Sequence, residues 1–206
     1  MCAKELEASS AKDGIEWREF KLGELFEVSS SKKIFHANQI TIYNDEIPNS
    51  YPYVVRSTRN NGVRGYLCEN RKYLNPANTL SFAQDTFSVF YQEKPYFTGN
   101  KVKVLTPKFK PFTKIHALFF ASIYQKVLET FTWGVGSTED DIKDIVISLP
   151  VLPKAESKDY QIAFDFMESY IKAIEKQHIE KIYAFWETKL KAYDAVINGG
   201  GGNIYP

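Results

Sequence analysis

Residues 158–197 read KDYQIAFDFMESYIKAIEKQHIEKIYAFWETKLKAYDAVI, forty residues with neither proline nor glycine. Nothing in the run breaks a helix, and as one continuous helix it would extend roughly 60 Å. Its apolar residues recur at intervals of eleven: Ile171, Ile182 and Tyr193 form one row, and Ile174, Phe185 and Val196 form another. That period is about 3.67 residues per turn, so the stripe runs nearly straight with a slight right-handed drift. Lys172, Glu175, Lys176, Glu180, Lys181 and Lys191 lie opposite it. One small domain cannot cover so long a stripe. Met167, Ile171, Ile174, Ile182, Phe185, Tyr193 and Val196 are therefore expected to meet another helix.

Upstream, the period changes. Residues 51–55, 65–67, 79–83, 87–91 and 101–105 are short runs rich in β-branched and aromatic residues, separated by Asn, Gly, Pro and Asp clusters. They predict a compact, twisted β core. Residues 17–28 predict a short strand followed by one helical turn, or a strand with a bend at Gly23. Residues 113–131 carry an apolar face at Ile115, Leu118, Phe119, Ile123, Val127 and Leu128 and predict a packed helix. Ser137 or Thr138 caps a short acidic turn, 145–149 returns to the sheet, and Pro150 and Pro153 close the domain. The fold class is α+β: a β-rich domain over 16–153, then a long coiled-coil-like helix over 157–198. Residues 1–15 are expected to be a loose terminus, and the glycine-rich 199–206 a flexible tail or linker.

Composition narrows the function. Of 206 residues, 44% are apolar and 15% aromatic, enough to build a substantial core. Two cysteines, one of them near the start, imply no disulfide framework and point to a reducing, cytoplasmic setting. No apolar run reaches the roughly 18 residues of a membrane span. The net charge of +1 conceals an asymmetry. Residues 30–114 hold 13 Lys or Arg against 5 Asp or Glu, a balance of +8. Residues 115–206 hold 9 against 13, a balance of −4, and residues 1–29 hold 4 against 7, a balance of −3. A basic first half beside an acidic second half suits a polyanion partner for one and a protein partner for the other.

Enzymatic signatures are missing. His36, His116 and His178 stand far apart, without Cys or carboxylates at metal-ligand spacing, so no metal site is predicted; on helices, His116 and His178 read as structural. Gly134-Val135-Gly136 lacks the further glycine and Lys-Ser/Thr of a phosphate loop. Asn75-Pro76-Ala77-Asn78 lacks the second proline and the aromatic of an amino-methyltransferase loop, and no methyl-donor motif accompanies it. No catalytic residue and no cofactor is assigned.

Binding chemistry is better represented. Arg56-Ser57-Thr58-Arg59-Asn60-Asn61-Gly62-Val63-Arg64 gathers three guanidinium groups, two hydroxyls and two amides around an Asn-Gly turn. Arg pairs bidentately with guanine and Asn with adenine, while hydroxyls reach phosphates or bases. The same residues could form only a solvated hairpin turn. Residues 29–38, with Lys32, Lys33 and His36, form a second polar, basic loop. Lys94, Tyr96, Thr98, Asn100 and Lys101 form a third, and Trp133 lies in a fourth. Four such loops in the basic half favour nucleic acid; a coiled-coil adaptor with a protein-binding head is the alternative.

Trp17-x-x-Phe20-x-Leu22-Gly23-Glu24-Leu25-Phe26, Tyr53-Val54-Val55 with the Arg56–Val63 loop, Asn78-Thr79-Leu80, Val89-Phe90-Tyr91-Gln92, Val102-Lys103-Val104-Leu105, and Ile147-Ser148-Leu149-Pro150 before a long helix form a set. Together they resemble the specificity subunits of type I restriction-modification systems and the related recognition subunits of bifunctional type II systems, over roughly residues 16–197. The resemblance implies a domain that places polar loops in the major groove of double-stranded DNA. It also implies a spacer helix that packs antiparallel on its counterpart and docks a methyltransferase (modification) subunit, with cleavage supplied by a restriction subunit. Family members typically carry two such domains and two helices, each domain reading half of a split site. One of each here implies either a half-subunit that forms a homodimer through the helix or a piece of a longer chain.

Overall fold

The computed structural model describes residues 14–129, 138–154 and 159–199. The expected loose terminus falls almost wholly outside these residues, as do Trp133, Gly134-Val135-Gly136, Ser137 and 200–206.

The predicted turn within 17–28 is present: β1 (Glu16–Lys21), one helical turn α1 (Leu22–Leu25) and β2 (Phe26–Ser30). Then follow β3 (Tyr51–Val54), β4 (Val63–Leu67), β5 (Thr79–Ala83), β6 (Ser88–Gln92), β7 (Phe97–Thr98), β8 (Val102–Pro107), the helix α2 (Lys114–Leu128) and the short helix α3 (Glu139–Lys143). The chain continues through β9 (Val146–Pro153) and β10 (Tyr160–Ile162) into the long helix α4 (Phe164–Gly199). The strands form three sheets, ordered β1-β9-β10, β2-β8-β5-β6 and β4-β3-β7.

The layers follow from the side chains. Leu80 and Phe82 of β5 and Leu105 of β8 point into the main core, where α2 brings Phe119, Phe120 and Tyr124. Phe26 is enclosed by Phe109, Phe112 and Phe120, with ring centroids 5.4–5.8 Å away in edge-to-face contacts. All five residues of β5 are buried, because the β4-β3-β7 sheet covers its other face. There Val102 and Val104 meet Val54 and Tyr96. Thr113 caps α2 and Thr138 caps α3, each hydroxyl accepting from the backbone N–H three residues on.

The structure differs from the sequence expectations at the junction between sheet and long helix. Residues 160–162 are not helical but form β10, antiparallel to β9. The open edge of β9 offers ladder hydrogen bonds, and Tyr160 and Ile162 suit a strand. The strand expected over 145–149 runs on to Pro153. Pro150 and Pro153 both lie within β9, where the Pro150 carbonyl accepts the Ala163 N–H at 2.9 Å, just before α4 begins.

The stripe differs as well. Met167 and Ile171, expected at an interface between long helices, are core residues of the head, 0% and 7% exposed against α2. The first turns of α4 are a wall of the domain, with Phe164 on Phe109 at 5.6 Å and Tyr170 on Phe119 at 5.9 Å. Ile174 is half-buried at the boundary. Beyond it, apart from half-buried Gln177, every residue from 175 to 198 is exposed. Those 24 residues project about 36 Å.

His116 sits at this junction, 1% exposed, with Nε2 3.3 Å from Glu168 Oε1 of α4. Burial holds its pKa below the ordinary 6.5, with the Glu168 carboxylate opposing more weakly. A histidine whose pKa is lower folded than unfolded leaves the unfolded chain binding the proton first as pH falls. Stability should therefore decline as pH drops through about 6.5 and below. Thermal melting between about pH 8 and pH 5 should show that decline, and His116→Gln should flatten it.

Candidate nucleic-acid interface

β3 and β4 are joined by residues 55–62, the loop that carries Arg56 and Arg59. The Val55 N–H donates to the Gly62 carbonyl at 2.8 Å and the Gly62 N–H to the Arg59 carbonyl at 2.9 Å. Asn60, Asn61 and Gly62 all adopt positive φ, at 48°, 50° and 76°. Asparagine tolerates this conformation better than most residues and glycine adopts it without strain, which is why Asn-Asn-Gly stands here. The Asn60 amide also donates to the Val63 carbonyl at 3.0 Å.

The loop is fixed from below by β6. Ser88 Oγ donates to the Ser57 carbonyl at 3.2 Å, and Gln92 Nε2 donates to the Asn61 carbonyl at 3.0 Å. Gln92 is buried and also donates to Ser81 Oγ at 3.0 Å. One strand thus holds both ends of the loop and leaves the side chains of Arg56, Thr58, Arg59, Asn60 and Asn61 exposed. Arg64, the first outward position of β4, is exposed as well. Ser57 is half-buried, and its hydroxyl accepts the Arg59 N–H at 3.1 Å, so it shapes the loop.

Lys101 joins this group through Asp85, to which the sequence assigns no place in the binding surface. Asp85, in the β5–β6 turn, pairs with Arg56 on one side and with Lys101 at 3.0 Å on the other. Three loops, from two sheets, converge on one carboxylate. No motif marks Asp85, since only the fold brings it to Arg56, 29 positions away.

The other predicted residues divide. Lys32, Lys33 and His36 are exposed on the strand-like segment after β2, where Ile34 bridges Thr98. Lys33 Nζ lies 4.6 Å from the centroids of both Phe35 and Tyr73. Lys72 reaches Tyr73 at 4.8 Å, and Arg71 lies over Tyr51 at 5.5 Å. Arg71 and Lys72 extend this second basic patch, which Arg71-Lys72-Tyr73 signals as two cations beside an aromatic. Lys94 is held by Glu46, 2.9 Å from both carboxylate oxygens. Tyr96 is a correction: it is 0% exposed, packed with Val54, Val102 and Val104, and its hydroxyl lies 3.2 Å from Thr79 Oγ1. Its partner in that predicted loop, Thr98, is buried in β7.

Electrostatically, Lys103 is tied to Glu139 at 2.9 Å and Lys114 to Glu93 at 3.6 Å. Ser30 and Lys103 together hold the Glu139 carboxyl below its ordinary pKa. Lys32, Lys33, Arg59 and Arg64 have no carboxylate partner among the described residues. Their charge is available to an anion.

No group of His, Cys, Asp and Glu among the described residues could hold a metal ion, and none of their helices is long and apolar enough to cross a membrane. Asn75 and Asn78 both bond to backbone groups of the fold. Asn75 accepts the Lys32 N–H at 3.2 Å and donates to the Tyr96 carbonyl at 3.1 Å. Asn78 donates to the Phe112 carbonyl at 3.0 Å.

At the other end, Ile182, Phe185, Tyr193 and Val196 are 55–76% exposed, as the helix reading expects. Ile179, Trp186, Leu190 and Ile197 extend them, all more than half exposed. The series 179-182-186-190-193-197 steps by three or four, a single helical face that the eleven-residue rows only partly captured.

A head with a polar, basic loop cluster, carried on a projecting helix with an uncovered apolar face, has the form of a recognition module. The family is shown by the sequence itself. This chain belongs to the type I restriction modification DNA specificity domain family, whose model matches residues 14–184. It is 26% identical, over 163 residues, to the type II restriction enzyme specificity subunit S.BcgI of Heyndrickxia coagulans, covering 78% of this chain and 44% of that protein. Its fold is shared by the type I S subunit of M. genitalium, with TM-score 0.56 and 16% identity over 98% of this chain and 49% of that one. The HsdS subunit of Thermoanaerobacter tengcongensis matches at TM-score 0.50 and 13% identity, over 88% of this chain and 46% of that one. The chain spans about half the length of the relatives it matches.

Proposed function

We propose that the chain reads one half of a bipartite double-stranded DNA site for a restriction-modification complex and has no catalytic step of its own. The observation that carries this reading is the loop of residues 56–61, held at both ends by β6 and presenting unpaired Arg59 and its neighbours to solvent, in a chain of the DNA specificity family. Arg56, Arg59 and Arg64, with Asn60 and Asn61, contact base edges, and Lys32 and Lys33 contact phosphates. The exposed face of α4 packs against the same helix of a second copy, or against the equivalent helix of a longer chain. The helix pair sets the distance between two half-sites. It also docks the methyltransferase subunit, which supplies methyl transfer, and cleavage comes from a restriction subunit. The chain requires no cofactor for recognition.

A salt titration tests the reading against a protein-binding adaptor. Each phosphate contact contributes about 0.9 to the slope of log affinity against log salt. With Lys32, Lys33 and part of the arginine cluster engaged, a slope of roughly 3 or steeper is expected for duplex binding. A flat response would favour the adaptor. Rigorously purified chain should transfer no labelled methyl group to the same duplex.

A further inference from the structure

Asp85 raises a question that the proposed function leaves open. A carboxylate in the middle of a DNA-contacting surface repels phosphate, yet here it lies among the residues best placed to touch DNA. Its side chain is 25% exposed, between Arg56 of the β3–β4 loop and Lys101 of the β7–β8 turn.

It is not needed to hold the loop. Ser88 and Gln92 fix the carbonyls of Ser57 and Asn61, and the bonds from Val55 to Gly62 and from Gly62 to Arg59 close the turn. The Lys101 turn is anchored separately, by Gln84 N–H donating to the Lys101 carbonyl at 3.1 Å and Gly99 N–H donating to the Val54 carbonyl at 2.8 Å. What Asp85 sets is the charge presented. It neutralises one of the two cations beside it and gives both a fixed intramolecular partner. Arg59 and Arg64, without such a partner, stay free.

We propose that Asp85 is a specificity-determining residue that keeps Arg56 and Lys101 from neutralising the phosphates of unmatched DNA. Phosphate contact is blind to sequence, so every cation free to make it raises the affinity for all duplexes alike. Specificity is a difference of affinities and can be raised by penalising the wrong partner. Arg56 and Lys101 then exchange Asp85 for DNA only where the base contacts of the loop draw the duplex close enough to compete. This inference rests on the reading of the head as a DNA-binding surface.

The test compares full-length wild type with Asp85→Asn and Asp85→Glu, on a mixed-sequence duplex over a range of salt. Asp85→Asn removes the charge at constant shape. It should bind the mixed-sequence duplex more tightly than wild type, and its salt slope should steepen by up to about 1.8, two contacts at about 0.9 each. Over a fourfold rise in salt, its affinity should then fall by about twelvefold more than that of wild type. Asp85→Glu should retain the wild-type slope. Adding Lys101→Gln to Asp85→Asn should return about half of the increase. A purely structural brace predicts the opposite sign, weaker binding to every duplex. That result, or an unchanged slope, overturns the inference while leaving DNA binding intact. Should Asp85→Asn melt at lower temperature than wild type, Asp85→Ser in the same turn carries the same comparison. If the wild type binds no duplex at all, the DNA reading falls, and this inference with it.

Discussion

The pairing proposed for α4 is expected to be lost when Ile182, Trp186, Leu190 and Tyr193 are replaced together by serine, leaving a monomer whose head melts unchanged. All four side chains are 58–63% exposed on one face of α4, beyond the last contact with the domain. Burying a large apolar side chain contributes about 1.5 kcal/mol or more, so four replacements remove roughly 6 kcal/mol per copy from association. The head should not register the loss, because none of the four belongs to its core. Met167→Ser is the contrasting variant. Met167 is fully buried against α2, and its replacement should lower the melting temperature by placing a hydroxyl in the core. Light scattering over a range of concentrations reads the first effect and thermal melting the second. A wild type that stays monomeric at every concentration would leave the stripe to the helix of a different chain.

The second large effect belongs to the loop. Alanine at Arg59 or Arg64 should weaken binding to the preferred duplex by about 1–3 kcal/mol, roughly five- to 150-fold, if the guanidinium reads a base edge. The loss should be confined to the duplex carrying the preferred base at one position and should relax preference there. Lys32→Ala and Lys33→Ala should instead weaken all duplexes alike and flatten the salt slope by about one unit each. The measurement is an alanine series against single-base variants of the site, in complex with the methyltransferase subunit. Arg56 is the intermediate case, because its ion pair with Asp85 must be exchanged before it meets DNA. If Arg56→Ala, Arg59→Ala and Arg64→Ala all bind with unchanged affinity and preference, the loop is a structural turn and recognition lies elsewhere on the head.

Local signals carried much of this architecture. β5 coincides with the predicted run 79–83, and the strands around it differ by a few residues at their ends. There alternating β-branched and aromatic residues and Asn or Gly turns all favour the same state. The long helix was legible because no breaker interrupts it. Its first residues were not, because whether Tyr160-Gln161-Ile162 joins a strand depends on the open edge of β9. Nor could periodicity tell that Met167 and Ile171 face α2 while Ile182 and Tyr193 face solvent. All four lie on one stripe, and only the position of the head divides it. The same limit governs the site. The Arg56–Arg64 loop declared itself through composition, whereas Tyr96 reads as an exposed aromatic until the sheet closes over it. Asp85 gains its meaning from partners 29 and 16 positions away.

The central claim, that this head reads duplex sequence, is tested most directly by selection of bound duplexes from a random pool, with and without a matching methyltransferase subunit. The account predicts enrichment of one short motif, repeated at a fixed separation wherever the protein pairs through α4, and loss of that enrichment in Arg59→Ala. A pool that stays random after repeated rounds in both conditions would contradict it.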